Sequence, residues 1–452
     1  MKLLYWSLLG IFMYEGSCLK TRYDGDKVLK ITPQTHAHAQ YLRELVNNLQ
    51  LDLWKPDMVE DISPLRELHV RIPFSHLEET EGKLLHQTIP FMVMINDIQK
   101  LIDSSTVRDS KQQKISLESY NYKEYHPMNE IYQWMDEIKE KHSDLVTHHY
   151  LGSTYEQRPI YYVKIGWPSD KQKKVVLMDC GIHAREWIAV AFCQWFVKEI
   201  LANYKNNPVL QNVLKQTDFY VIPVLNVDGY VYSWTHERLW RKNRSPQNNG
   251  TCYGVDLNRN FDTAWCTVGA SRNCSSLIFC GPSPASELET KALVALVEEI
   301  LPSILSYLTI HSYGQYILLP FGYTANQSEN HQELMDVAVE AASKIKGLYG
   351  KEYTVGSSGI ILYEDSGSSA DWAADLKIKL PYTFELRDNG TFGFQLPPDQ
   401  IEPTCEETML AVMSMLEYIN VKYLESKAMT VFSPWLNILL SSALCMYYIL
   451  TH

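Results

Sequence analysis

The sequence predicts an α/β domain built on a mixed sheet with helices on both faces, preceded by a smaller α+β unit. Three features carry that reading. From about residue 120 onward, amphipathic segments alternate with short apolar runs. Residues 23–105 mix strand-like and helix-like pieces in a shorter span. Between them, residues 106–118 open on a polar stretch without apolar periodicity, which reads as a solvated linker.

In the first unit, 28–31 reads as a strand and 35–49 as a helix opening after Pro33. The alternation at 67–72 and the apolar run 91–95 read as strands, and 97–102 begins another helix. In the second unit, residues 119–420, helices are expected near 128–139, 188–201, 286–300, 330–348 and 406–417. Strands are expected at 147–151, 160–165, 174–179, 218–225, 304–310 and 382–386. Val227-Asp228-Gly229-Tyr230 reads as a turn. In such a domain, chemistry gathers at strand ends and in the loops between them.

The chain has 452 residues, room for more than one domain, and a net charge of -12, which argues against nucleic acid as a partner. Residues 1–18, with Lys2 ahead of an apolar run and small residues after it, read as a secretory signal peptide rather than a core helix. Residues 426–452 hold a long apolar run with nothing basic behind it and small residues such as Ser426 and Ala428 ahead of it. That pattern favours a GPI-attachment signal over a single membrane span, and so a lipid anchor on the extracellular face of the cell membrane. The six cysteines Cys180, Cys193, Cys252, Cys266, Cys274 and Cys280 cluster in the middle third. An oxidising compartment would pair them, and no C-x-x-C spacing favours a metal site instead. Cys405 is left over. Sequons at Asn243, Asn249, Asn273, Asn326 and Asn389 are compatible with glycosylation. Arg108, Lys111 and Lys114 make the linker a target for a trypsin-like protease.

Gly-Ile-His-Ala-Arg-Glu-Trp, Gly181 to Trp187, follows the apolar run at 175–178. His183 and Glu186 supply two of the three protein ligands that a catalytic zinc site needs, and His311, ending another apolar run, supplies a third. A plain hydrogen-bonded His–Glu pair is the competing reading. Arg238-Leu239-Trp240-Arg241-Lys242 is either a solvated face or holds at least one arginine against structure. Asp256-Leu257-Asn258-Arg259 sets a guanidinium beside amides, which suits a two-point grip on a carboxylate. Glu385 sits inside an apolar strand, either paired with Arg387 or serving as a general base beside a metal. Tyr363 opens a Gly/Ser-rich loop suited to closing over a substrate.

Together these motifs resemble, in order, the zinc metallocarboxypeptidases of the pancreatic A/B type. The resemblance covers the second unit, and the first resembles that family's activation domain. It implies one Zn2+ held by His183, Glu186 and His311, with Asp256 orienting His183. It implies Glu385 as the base that takes a proton from the attacking water and passes it to the leaving amine, and Arg241 as oxyanion stabiliser. Asn258, Arg259 and Tyr363 would grip the free C-terminus of a peptide or protein substrate. Arg185, Ser312, Tyr313 and Phe394 would contact the peptide. The implied disulfides are Cys180–Cys193, Cys252–Cys274 and Cys266–Cys280.

The specificity pocket departs from family patterns. By the resemblance its floor position is Ala370, where members that remove basic residues carry an acidic side chain and a pattern suited to acidic C-termini carries Arg. Asp365 and Ser358 replace small neutral and apolar residues in the wall. A buried carboxylate there would favour neutral or basic C-terminal residues over acidic ones. Two competing functions are a catalytically silent binder of peptide C-termini, which would require a lost ligand or base, and an endopeptidase, which would leave the carboxylate grip without a partner.

Overall fold

The computed structural model describes residues 20–106 and 116–425. The expected signal peptide, the protease-sensitive residues 108–114 and the expected anchor signal lie outside them. No helix of the described residues is long and apolar enough to cross a membrane.

The first domain is a four-stranded antiparallel sheet of β1 (Lys27–Ile31), β2 (Asp52–Lys55), β3 (Leu68–Ile72) and β4 (Phe91–Ile95), in the order β2-β3-β1-β4. Helices His36–Leu49 and Leu77–His86 close its core of Leu29, Ile31, Leu42, Val46, Val70 and Leu84. The first helix starts where expected because Thr35 accepts a hydrogen bond from the His38 amide, at 3.1 Å. A third helix, Ile98–Thr106, takes in the first residue assigned above to the linker.

The second domain has an eight-stranded mixed sheet. Its strands are β5 (Val146–Ser153), β6 (Pro159–Ile165), β7 (Lys174–Cys180), β8 (Thr217–Ile222), β11 (Ile304–Ser312), β12 (Tyr316–Leu319), β13 (Thr354–Ser357) and β14 (Leu380–Leu386). A separate ribbon is formed by β9 (Pro246–Gln247) and β10 (Cys252–Tyr253). The order is β13-β12-β14-β11-β7-β8-β6-β5, with β14, β11, β7 and β8 mutually parallel. β7 and β11 read as continuous apolar runs because helices cover both faces of parallel strands; every residue of β11 is buried. Strand succession leaves β7 in opposite directions, toward β8 and toward β11. That reversal opens a crevice at the carboxyl ends of β7 and β11.

The three implied disulfides are present, and Cys405 is free and buried. Three readings are corrected. Val227-Asp228-Gly229-Tyr230 is the start of a helix, Val227–Thr235, because Asn226 caps it by accepting from the Gly229 amide at 3.0 Å. Arg387 does not pair with Glu385; it forks onto Glu407 of the helix Ile401–Ile419. Asn243 is fully buried and donates to Glu287 and Glu289, which leaves its sequon unusable, whereas Asn249, Asn273, Asn326 and Asn389 are exposed. The helices Leu77–His86, Pro208–Gln216 and Ser369–Asp375 and the strands β2, β12 and β13 were not anticipated. They are four to ten residues long, too short for periodicity to register.

The two domains share an apolar cluster. Trp54, Ile95, Ile98 and Ile102 of the first pack on Leu239, Tyr313 and Phe394 of the second. At its edge, His69 joins Tyr313 Oη at 2.7 Å through Nδ1 and Glu67 at 2.8 Å through Nε2. Burial lowers the His69 pKa against the opposing pull of Glu67. Separation re-exposes the ring and relieves that lowering, so the separated domain takes up the proton first and docking weakens as pH falls. Amide exchange in β3, corrected for intrinsic rates, should therefore be slower at about pH 7.5 than at about pH 5.5. Equal protection at both would contradict this account.

Candidate active site

The crevice brings together residues far apart in sequence. β7 ends at Cys180 and the chain turns through Gly181, whose φ of 63° favours glycine. A side chain there would also strike Val190, its Cβ 2.8 Å from Cγ2. This turn delivers His183, and Glu186 follows at the N-cap of the helix Trp187–Asn203, where the helix dipole favours a carboxylate. His311 lies near the end of β11 and pairs in register with Glu385 on β14.

His183, Glu186 and His311 form a buried cluster able to hold one metal ion. His183 Nδ1 lies 2.8 Å from Glu186 Oε1, His311 Nδ1 lies 3.1 Å from Glu186 Oε2, and the two Nδ1 atoms are 3.2 Å apart. Such separations suit three donors around one ion at about 2.0–2.2 Å. The outer ring nitrogens fit the same assignment. His183 Nε2 faces Asp256 Oδ1 at 3.0 Å. His311 Nε2 faces Thr309 Oγ1 at 3.1 Å, and that hydroxyl donates to Asp179 at 3.1 Å. Each Nε2 therefore carries the proton, and each Nδ1 is left as a ligand. Burial disfavours the Glu186 charge, but His183 and His311 overcome it and hold its pKa far down. The residues fit a zinc ion in the His2Glu set.

Asp256 joins this cluster to a second one. Its Oδ1 also accepts from the Asn258 amide at 3.0 Å, and its Oδ2 takes Arg241 Nε at 3.0 Å. Burial opposes its charge, yet Arg241 and His183 keep its pKa well below the usual carboxylate range. Arg259 is fixed by the Gly269 carbonyl at 2.7 Å and the Asn258 carbonyl at 3.0 Å. Asn258 Oδ1 accepts from the Ser369 amide at 2.9 Å, which leaves its amide group free to donate.

A carboxylate already sits in this grip. Asp57, which follows β2 in the first domain, places Oδ2 3.1 Å from Arg241 Nη2 and 3.0 Å from Arg259 Nη2. Tyr363 lines the same cavity. Trp54 packs edge-on against Phe394 and Tyr313, with ring centroids 5.1 and 6.4 Å away. The first domain thus covers the crevice. Arg185 is buried beneath it, its guanidinium 3.9 Å from the Phe394 ring centre and 3.9 Å from Asp52.

Tyr363, Ser312, Tyr313, Ser358, Asp365, Ala370 and Glu385 line the same cavity as the metal cluster and the arginines. Ser312 also donates its amide to Glu186 at 3.3 Å. Burial, reinforced by the Glu186 charge, pushes Glu385 well above the ordinary range. Of the Arg-Leu-Trp-Arg-Lys segment, both arginines are buried, Arg238 bonding the carbonyls of Arg185 and Phe394. Sequence reasoning missed Asp57, Trp54 and His69, for which no local signal exists, and Thr309, whose two-residue spacing from His311 was legible.

Replacing Asp256 with Ala should weaken zinc binding about 10- to 100-fold, since it frees the His183 ring and leaves Arg241 without its anchor. Competition against a chelator measures this; unchanged affinity would contradict the assigned linkage.

The comparisons with known proteins agree with this geometry. Residues 131–411 match the zinc carboxypeptidase family, and residues 29–105 match the carboxypeptidase activation peptide. The chain is 61% identical over 307 residues to carboxypeptidase O of Bos taurus, covering 68% of this chain and 82% of that one. It is 40% identical to mast cell carboxypeptidase A of Rattus norvegicus, covering 91% and 99%. The crystal structure of thrombin activatable fibrinolysis inhibitor superposes with a TM-score of 0.84 at 38% identity, covering 88% of this chain and 100% of that one. The chain therefore belongs to the zinc carboxypeptidase family, as a metallocarboxypeptidase that carries an activation peptide domain.

Proposed function

We propose that this enzyme removes the C-terminal residue from peptides and proteins, with Glu385 as general base, and that the activation domain keeps it latent. The observation that carries the reading is Asp57. A carboxylate held by Arg241 and Arg259 beside the metal cluster, in the cavity that Tyr363 lines, occupies the position a substrate's terminal carboxylate would take. Its removal with the activation domain leaves two buried arginines with a vacancy that a free C-terminus fits. Cleavage between residues 106 and 118 by a trypsin-like protease would bring this about.

Docked in that way, the substrate presents its last peptide bond to the metal cluster. Zinc held by His183, Glu186 and His311 supplies Lewis acidity at the carbonyl and acidifies the attacking water. Arg241, kept in place by Asp256, donates to the developing oxyanion. Glu385 takes the proton from the attacking water and hands it to the departing amine. Its position at the end of β14, next to His311, supports that role.

Three disulfides suit action outside the cell. Attachment to the outer face of the membrane through a lipid rests on the composition of residues 426–452. The four exposed sequons are candidate glycan sites.

Glu385→Gln, freed of the activation domain, should release C-terminal residues about 10²- to 10⁴-fold more slowly while retaining zinc. Metal analysis of the same sample separates loss of the base from loss of the metal. Undiminished release would remove Glu385 from the mechanism.

A further inference from the structure

Contacts give the cavity a direction. The metal cluster bonds Asp256, Asp256 bonds Arg241, and Asp57 bridges Arg241 to Arg259. Beyond Arg259 lies Asp365, its Oδ2 3.6 Å from Nη1. Taking Asp57 as the marker for the terminal carboxylate, which rests on the function proposed above, the last side chain of a substrate extends past Arg259. There it meets the walls formed by Leu318, Ala370, Ser358, Asp365 and Asp371.

Two buried carboxylates meet in this part of the cavity. Asp371 is committed, accepting from the Gly322 amide at 2.8 Å. Asp365 is not. Its Oδ1 has a long hydrogen bond from Ser358 Oγ at 3.3 Å, and the 3.6 Å to Arg259 exceeds hydrogen-bond distance. A buried carboxylate normally gathers several short donors. Gly322 makes room for it, since a Cβ there would fall 2.1 Å from Asp365 Oδ1. Burial raises the pKa of both carboxyls, and Asp365 adds to the rise at Asp371. The second domain's cationic side chains in the lining are Arg241 and Arg259. The first already faces Asp256, and Arg259 serves the terminal carboxylate.

An acidic side chain entering this space would meet two further carboxyl groups without a free cation. An apolar one would leave Asp365 short of donors. A long side chain with an apolar stem and a cationic end would lie along Leu318 and Ala370 and supply the missing donors. We infer that this enzyme selects lysine or arginine at the substrate C-terminus, and that Asp365 is the residue that reads it.

The test uses the zinc-loaded enzyme freed of its activation domain, with peptides differing only in the last residue: Lys, Arg, Leu, Phe or Glu. Lys and Arg should exceed Leu in kcat/KM by at least about tenfold, the worth of one buried charge-assisted hydrogen bond, with Glu slowest. In Asp365→Asn the Lys-to-Leu ratio should fall about tenfold or more. Preferential release of Leu, Phe or Glu by the native enzyme would overturn the inference while leaving the carboxypeptidase reading intact. An equal fall for Lys and Leu in the variant would also overturn it, making Asp365 only a support for Arg259. Release of no residue at all would sink the underlying reading. The native panel decides the preference even if the variant does not fold.

Discussion

One buried carboxylate organises this site. Asp256 orients the zinc ligand His183, anchors the guanidinium of Arg241, and caps the turn that carries Asn258 and Arg259. In the proposed mechanism, metal binding, oxyanion stabilisation and carboxylate recognition would therefore be set by the same two oxygens. The cost of burying Asp256 is offset by an imidazole N–H, a guanidinium and a backbone amide. The parallel sheet makes the arrangement possible. His311 and Glu385 are register partners on neighbouring strands, and His183 emerges from the adjacent β7. Three strand ends thus deliver ligands and base to one crevice.

The activation domain exploits that architecture. Asp57 satisfies Arg241 and Arg259 as a substrate would, and Trp54 fills the space against Tyr313 and Phe394. A domain held only by apolar contacts would cover the cleft. One that also inserts a carboxylate competes directly for the recognition site. The apolar cluster and the ion pairs are separate interactions, so loss of either leaves the other to hold the domain.

Much of the site was legible because strand-end ligands carry a sequence signature. An apolar run followed by His-Ala-Arg-Glu, and another ending in His311, mark strand ends facing a common crevice. The Asp-Leu-Asn-Arg turn was legible as a polar cluster beside the metal site, where Asp256 and Arg259 are both buried. Asp57 was not, because a lone aspartate after proline has no periodic or motif context, and its partners lie 184 and 202 residues away. Val227–Tyr230 was misread because Asp-Gly suggested a turn, whereas Asn226 one residue earlier supplies a helix cap. Arg387 shows the same limit: adjacency in sequence pointed to Glu385, and tertiary packing gave it to Glu407.

In the proposed function Asn258, Arg259 and Tyr363 read a free C-terminal carboxylate. The most direct measurement compares one peptide with the same peptide amidated at its C-terminus, using zinc-loaded enzyme freed of its activation domain. The free acid should be shortened by one residue and the amide left essentially intact. Equal cleavage of both would show that the grip has another purpose, and the reading of Asp57 as a substrate mimic would fall with it.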